Sequence, residues 1–381
     1  MQRTKNTSRG FTLVELMVSL VIGAITLATA VQLYSQAVKA TIVTSQRAEM
    51  QQDFRAAANL MSRDISMAGA GALGQQGLSQ NSVPLPVSAT VPVYPCSPTT
   101  CNYINGAPVA YPVQSGARYL YSIVPGPNLG IAVNGQQTDI LSVSYTDANL
   151  ALNCYSVSYT SATAVLFTLP AVLPSTCILP TGITVPQALN DPVVGLQAGD
   201  MILFSVSGVG PAAVGVVSTV TAATCAGQPC YTVAFASGDP GHINQPTAAV
   251  GSLLSLAPPK SVQSAVRFLL ITYYLDISPV DGVTPRLMRI QNGKLPSPVA
   301  ENVAFLKFSY DAYNGGAVVA NQSTLPAGTT PSMITKVNIT HMVMRGQTRG
   351  MSGYQGLDLQ TSISARNMSF QQEYPISGSA Y

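Results

Sequence analysis

The amino-acid sequence predicts an α+β protein in which a long N-terminal transmembrane helix packs on an antiparallel, β-rich C-terminal head. Three observations predict it. Residues Phe11 to Gln32 carry a single charged side chain, Glu15. From Ser35 to Met67 no Pro or Gly interrupts apolar residues that recur at helical spacing. Beyond about residue 75 the composition shifts to Pro, Gly, Ser and Thr around short alternating apolar runs, the pattern of strands joined by turns. The 381 residues divide accordingly into a leader (1–10), a hydrophobic and then amphipathic helix (11–68, with the membrane span at about 11–34) and a β-rich region (69–381).

Composition narrows the function classes. Charged residues are 9% of the chain, against roughly 25% in an ordinary soluble protein, while Gly (31) and Pro (27) are abundant. That argues against a cytosolic helical enzyme. The net charge of +3 is supplied by Arg3, Lys5 and Arg9 alone, and the remaining chain is formally neutral. With no basic cluster beyond the leader, nothing supplies the phosphate-neutralising field that nucleic-acid binding needs.

The first element is the leader, MQRTKNTSRG, followed by the apolar run FTLVELMVSLVIGAITLATAVQLY. The twenty-two residues from Phe11 to Gln32 make about 33 Å of helix, enough to cross the hydrocarbon core of a bilayer. The basic flank stays in the cytoplasm by the positive-inside rule, which sends everything after about residue 35 to the opposite side. An ordinary secretory signal has its cleavage site after the apolar region. Here Gly10 followed by Phe11-Thr12-Leu13-Val14-Glu15 resembles the type IV prepilin motif, with the site before that region. The resemblance implies that a prepilin peptidase cuts after Gly10, that Phe11 is N-methylated, and that the apolar helix stays on the mature protein. A residue without a side chain suits close approach of a protease to the backbone.

Glu15 is the sharpest single residue. A carboxylate at the centre of an apolar span costs about 2.5 to 3.5 kcal/mol, whereas the helix dipole returns only about 0.3 to 1 kcal/mol. The dipole alone is therefore too small, and a partner is needed. The resemblance to type IV pilins implies one: the free amine of Phe11 on a neighbouring subunit as a filament adds it. Pilin helices often carry a Pro within the span, but here the first Pro is Pro84, so an unbroken helix is expected.

The outer helix follows. Val43, Met50, Phe54, Ala57, Met61 and Ile65 form one apolar stripe, with Gln46, Glu49, Gln52 and Asp53 on the remaining surface. Gly69, Gly71 and Gly74 then end it, since small residues that tolerate positive φ suit helix C-termini. These glycines spell G-x-G-x-x-G, but a dinucleotide site requires that pattern between a strand and a following helix, not after a helix. The segment Arg63-Asp64-Ile65-Ser66-Met67-Ala68-Gly69 resembles instead the helix end of PilW-like minor pilins, which are related to the J-type pseudopilins of type II secretion.

Strands are expected at Tyr119–Val124, Asp139–Tyr145, Cys154–Thr160, Met201–Ser207, Ser264–Leu275, Val303–Asp311, Thr335–Arg345 and Leu357–Ala365. In Val303–Asp311, Leu306, Phe308 and Tyr310 alternate with Lys307, Ser309 and Asp311, as in a half-buried antiparallel strand. Several stretches resemble PilW-like proteins in order: Thr138–Tyr145, Gly199–Leu203, the strand pair around Arg267 to Arg289, Val303–Tyr310 and Ala365-Arg366-Asn367. Residues of about 75–118 and 146–195 look like insertions in that frame.

Six cysteines allow 15 pairings, but the two C-x4-C spacings favour sequential disulfides Cys96–Cys101, Cys154–Cys177 and Cys225–Cys230. The rival, a zinc site from the two C-x4-C pairs, is disfavoured in an oxidising compartment. Of the two histidines, His341 alternates with Val337, Ile339 and Val343 on one strand face, and His242 lies in a Gly/Pro turn beside Asp239. Asp276 and Asp281 flank a turn without calcium-ligand spacing. No hydrolase elbow, Walker loop or zinc-protease helix is present in the sequence, so no catalytic, cofactor or metal residues are expected.

The resemblance implies a minor pilin that acts in assembly, initiation or tip formation of a type IV pilus. Its implied partners are the prepilin peptidase, other minor and major pilins and the inner-membrane assembly platform. It would pass from the inner membrane, with a periplasmic head, to the pilus surface. The alternatives are a J-type pseudopilin, an adhesin whose head, in a chain with 17 Tyr, binds a surface or glycan, and a membrane-tethered enzyme using His242.

Overall fold

The structure is a computed structural model, which describes residues 11–71, 82–86, 118–147, 149–179, 182–207, 210–239, 243–313, 316–347 and 354–368. The chain divides into two compact units, Met1–Gln52 with Gly346–Gln355, and Asp53–Arg345 with Gly356–Tyr381. One unbroken helix, α1, runs from Leu13 to Met67. At 55 residues it is about 83 Å long. The strands are β1 (Ser82–Leu85), β2 (Arg118–Tyr121), β3 (Ile123–Gly126), β4 (Ala132–Val133), β5 (Gln136–Gln137), β6 (Ile140–Asp147), β7 (Ser156–Ser161), β8 (Ala164–Thr168), β9 (Met201–Val206) and β10 (Gly210–Val216). They continue as β11 (Thr219–Cys225), β12 (Gln228–Ala234), β13 (Val262–Ile277), β14 (Pro285–Gln291), β15 (Ser297–Glu301), β16 (Val303–Tyr313), β17 (Val318–Gln322), β18 (Ile334–Gln347) and β19 (Tyr354–Ser364).

In the larger unit a seven-stranded sheet is organised around β13, whose 16 residues exceed the length of any neighbour. Its Arg267–Tyr273 segment pairs with β6, while Val262–Phe268 pairs with β9 and Ile271–Ile277 with β14. Because these registers overlap, β9 and β14 must share one edge of β13 and β6 must take the other. Asn292 fills the changeover between β9 and β14. Its side chain accepts from the Leu270 N–H at 2.7 Å and donates to the Phe268 carbonyl at 3.2 Å, replacing a strand that is absent there. Asn292 has φ 52°, a conformation Asn tolerates better than most residues. From Leu270 to Leu275 every residue of β13 is buried, as befits a central strand covered on both faces.

The part of α1 that belongs to this unit buries Phe54, Ala57, Met61, Asp64 and Ile65. These lie on one helical face by their spacing of three, four and seven. Burying Phe54, Met61 and Ile65 contributes about 1.5–3 kcal/mol each. Val43 and Met50, in the smaller unit, are half-buried. The helix ends at Gly69 (φ 78°) and Gly71 (φ 65°), and the chain then bonds to β6 through Gly69 N–H to the Ser144 carbonyl and Thr146 N–H to the Ala70 carbonyl. At Gly71 a β-carbon would also collide with Thr146 Oγ1.

A second sheet, β11-β12-β8-β7, packs Phe167 and Phe235 against Phe204 of β9 around a shared apolar cluster. A third, β17-β16-β18-β19, is tied to the first through buried Asp139. That carboxylate accepts from Asn128 N–H, Phe308 N–H and Lys307 Nζ at 2.8–2.9 Å.

Three local expectations change. Cys154 belongs to a 3-10 turn, Leu152–Cys154, so the strand expected from that residue starts at Ser156. The β16 face expected to meet solvent is largely covered: Ser309 and Asp311 are buried, and Asn338 Nδ2 bonds Asp311 at 2.9 Å. His341 does not share a face with Val337 and Ile339. The β16–β18 register shifts beside Ile339, after which Met342 and Met344 point inward and His341 turns out to face Asp358 at 3.0 Å.

Candidate assembly site

The N-terminal half of α1 is the most unusual surface of the protein. Every large apolar side chain from Phe11 to Leu33 is more than half exposed, Phe11 at 83%. It is the one helix among the described residues long and apolar enough to cross a membrane. A surface of this size calls for lipid or protein cover, at roughly 25 cal/mol per Å². Its polar groups are already served by the helix itself. Ser19, Thr26 and Thr29 hydroxyls donate to the carbonyls of Glu15, Gly23 and Thr26, so none enters an apolar medium unpaired.

Glu15 stands at the third position of the helix, with Thr12 capping it. The Thr12 N–H and hydroxyl both donate to Glu15 Oε2 at 3.0 Å, and the Glu15 N–H donates to Thr12 Oγ1 at 3.3 Å. This is a reciprocal capping box, and the T-x-x-E spacing that encodes it is visible in the sequence. Glu15 therefore begins with a partner inside its own chain. Phe11 precedes the capping Thr12, four residues before Glu15 in the chain. Gly10 lies outside the described residues.

At the other end of α1 the chain places a second carboxylate, one that the sequence reading did not single out. Asp64 is 2% exposed on the apolar stripe, three residues after Met61. The sheet presents three donors to it. Tyr273 is directly opposite Arg289 in the β13–β14 register and opposite Leu141 in the β13–β6 register. Tyr145 lies four residues beyond Leu141, so alternation puts Tyr145, Tyr273 and Arg289 on one sheet face. Tyr145 Oη donates to Asp64 Oδ1 at 2.8 Å, and Tyr273 Oη and Arg289 Nε donate to Oδ2 at 2.6 and 2.9 Å. Burial, then the Asp64 charge, pushes both phenols well above the ordinary tyrosine range. Burial opposes the Arg289 charge, but the Asp64 hydrogen bond and charge prevail and raise its pKa. The signal in the sequence is a lone acid at a stripe position, Asp64 lying seven residues after Ala57.

Cys154 and Cys177 form a disulfide with Cα atoms 4.4 Å apart, and Cys225 and Cys230 form another at 5.7 Å that staples the β11–β12 hairpin. Cys225 and Cys230 are thus bonded to each other rather than available as zinc thiolates; Cys96 and Cys101 lie outside the described residues. Asp239 accepts from the N–H groups of Ile243 and Asn244 at 2.9 and 2.8 Å, which is turn chemistry, and His242 is outside the described residues. Asp276 pairs with Arg286 at 3.3 Å. Asp281 takes the Thr284 hydroxyl and the Thr284 and Val283 N–H groups, which pull its pKa down to about 2. Among the described residues no three His, Cys, Asp or Glu side chains converge as metal ligands.

Compared with known proteins, residues 5–31 match the family described as the prokaryotic N-terminal methylation motif. No curated protein and no solved structure matches the chain. The match covers Lys5 and Arg9 of the leader, Gly10, Phe11 and Glu15, and much of the exposed apolar helix. The chain therefore carries a type IV pilin or pseudopilin signal on an N-terminal apolar helix, followed by an antiparallel β-rich region.

Proposed function

We propose that this chain is a PilW-like minor pilin of a type IV pilus system. In this reading it is inserted in the inner membrane by Phe11 to about Tyr34, with the residues beyond on the periplasmic side. A prepilin peptidase cleaves after Gly10, Phe11 is methylated, and α1 then leaves the membrane to pack among the helices of other pilins. The observation that carries the reading is the coincidence of the methylation motif at 5–31 with an apolar helix surface open along its whole N-terminal half.

Glu15 supplies the selective step. Its own Thr12 cap is worth about 1 kcal/mol, less than the roughly 2.5–3.5 kcal/mol that a carboxylate costs deep in a bilayer. A free amine offered by Phe11 of an adjoining subunit competes for the same carboxylate, and charge pairing in a low-dielectric bundle favours it over a neutral cap. The role is structural, not catalytic. Asp64, held by Tyr145, Tyr273 and Arg289, fastens the C-terminal end of α1 to the sheet, so that a helix drawn into a filament brings the β-rich region with it.

The motif is common to pilins and pseudopilins, which keeps the J-type pseudopilin of type II secretion as the second reading. Deleting the gene and scoring piliation, twitching and protein secretion separates them. The minor-pilin reading expects fewer pili, with the protein recovered in sheared filaments. Intact pili with failed secretion would replace it by the pseudopilin reading.

A further inference from the structure

Between Ala148 and Pro259 the chain has three charged residues, Asp191, Asp200 and Asp239, and no Lys or Arg. Asp200 is buried against Lys294, and Asp239 is buried under the Ile243 and Asn244 N–H groups. Asp191 is the one charge of the stretch left near solvent. The stretch contains all four strands of the β11-β12-β8-β7 sheet, none of which carries a charged residue, and β11 ends that sheet. The other edges of the three larger sheets carry a feature that discourages pairing with another chain. β3 has Pro125, β15 has Pro298, Glu301 and a register shift, and β10 has Pro211 and a register shift. β7 and β17 are bulged, and β19 carries Asp358. β11, with the sequence Thr-Val-Thr-Ala-Ala-Thr-Cys, has no proline, no charge and an uninterrupted register from Thr219 to Cys225. Thr219 and the four residues from Thr221 to Thr224 are exposed.

The hairpin geometry fixes which backbone groups point outward. The two-residue turn Ala226-Gly227, with φ 51° and 82°, closes on the Cys225–Gln228 pair. That closing pair is hydrogen-bonded in such hairpins, so alternation turns the N–H and C=O of Val220, Ala222 and Thr224 away from β12. Among the described residues these groups make no backbone hydrogen bond outside the hairpin.

We propose that β11 is the pairing edge of a two-fold dimer of this chain, in which β11 lies antiparallel to the same strand of a second copy with Ala222 on the axis. A second copy fits for reasons internal to the strand. With Ala222 facing itself, Val220 faces Thr224 of the partner subunit, and all three outward-pointing positions fall into hydrogen-bonded register. The facing side chains are Thr, Ala and Val, so no like charges oppose. With no charged residue on β7, β8, β11 or β12, the sheet offers no counter-charge to an acidic or basic partner, and its strands meet those of an identical copy without like-charge repulsion. The Cys225–Cys230 staple holds the edge extended before the partner arrives, which lowers the ordering cost.

The test uses the full-length protein in detergent with single cysteines introduced on exposed β11 positions. Ala222→Cys is expected to give a disulfide-linked dimer under mild oxidation. Val220→Cys and Thr224→Cys are expected to link to each other when the two variants are mixed, and neither to itself, as only the antiparallel register allows. Thr221→Lys in the Ala222→Cys background is expected to suppress the link while the Cys225–Cys230 disulfide remains. Raising the salt concentration is expected to leave the dimer in place. Absence of the Ala222 link, equal linkage from a control Ser158→Cys on β7, or dissolution of the dimer by salt would each overturn the proposal. None of these results bears on N-terminal processing, so the pilin reading and the dimer stand or fall separately.

Discussion

Asp64 is the residue whose loss should be felt most in the β-rich region. Three donors converge on its carboxylate at 2.6–2.9 Å, so Asp64→Ala leaves Arg289, a half-buried cation, without its partner. Removing one partner of a fully buried pair costs about 3–5 kcal/mol, and because Arg289 is only half-buried, denaturant unfolding of the purified protein is expected to show a destabilisation at the lower end, about 3 kcal/mol. Asp64→Asn, which keeps the shape but not the charge, should lie between. The phenols give a pH signature. Tyr145 and Tyr273 have folded pKa values raised above the ordinary 10.0, so the stabilisation is complete below about pH 10 and is lost as pH rises through the folded values. The tyrosinate absorbance is expected to show Tyr145 and Tyr273, like the buried Tyr155, ionising only with unfolding, so that Tyr145→Phe and Tyr273→Phe each remove one late-titrating phenol; loss of an early-titrating phenol instead would contradict the cluster. Glu15 was legible in the sequence because a charge inside an apolar run stands out against its neighbours. Asp64 was not, because it follows Arg63 in a mixed segment and its burial depends on Tyr145 and Tyr273, 81 and 209 residues away. For Glu15, Glu15→Ala is expected to permit cleavage but reduce recovery in sheared filaments severalfold, measured by immunoblot; normal incorporation would remove the pairing role.

Helix α1 was readable as an element because a single period carries it: no Pro or Gly interrupts the outer stripe, and Gly69 and Gly71 mark its end. The β strands were readable where alternation is regular, as in β6 and the core of β13. They were harder where the ladder breaks. His341 changes face because β18 carries an extra residue, Thr340, opposite the single Phe308–Lys307 step of β16, and the alternation Val337, Ile339, His341, Val343 hides that bulge. β8, β11 and β12 were missed since runs of Thr, Ala and Val in a turn-rich region give little contrast between faces. The changeover on β13 gives an element-scale prediction. Asn292→Gly tolerates φ 52° but leaves the Leu270 N–H and Phe268 carbonyl without the side chain that serves them. It is expected to destabilise the protein by about 1–3 kcal/mol in denaturant unfolding, whereas an effect near zero would mean that water serves those groups equally well. The Cys154–Cys177 staple belongs to the same scale: its loss in a Cys154→Ser/Cys177→Ser variant is expected to lower stability by about 3 kcal/mol, read the same way under oxidising conditions.

At the scale of the whole molecule, two surfaces of different chemistry share one chain. The N-terminal half of α1 is apolar and open from Phe11 to Leu33, and the residues 5–31 that mark it are the part matched by a known family. The β-rich region beyond is poor in charge and stapled by disulfides, a composition suited to an oxidising compartment. The division of labour was visible in composition, because the shift from an uninterrupted apolar helix to turn-rich alternation needs no long-range information. The order of strands was legible only at the β13–β14 hairpin, since β13 also gathers β6 and β9 from distant parts of the sequence. The central claim is that the helix is kept after processing and exported into a filament. Intact-mass and N-terminal analysis of the protein from native membranes and from sheared filaments tests it most directly. A mature chain beginning with methylated Phe11, present in the filament fraction, is the predicted result; a chain still beginning at Met1 in the membrane, and absent from filaments, would contradict the account and leave a simple membrane anchor.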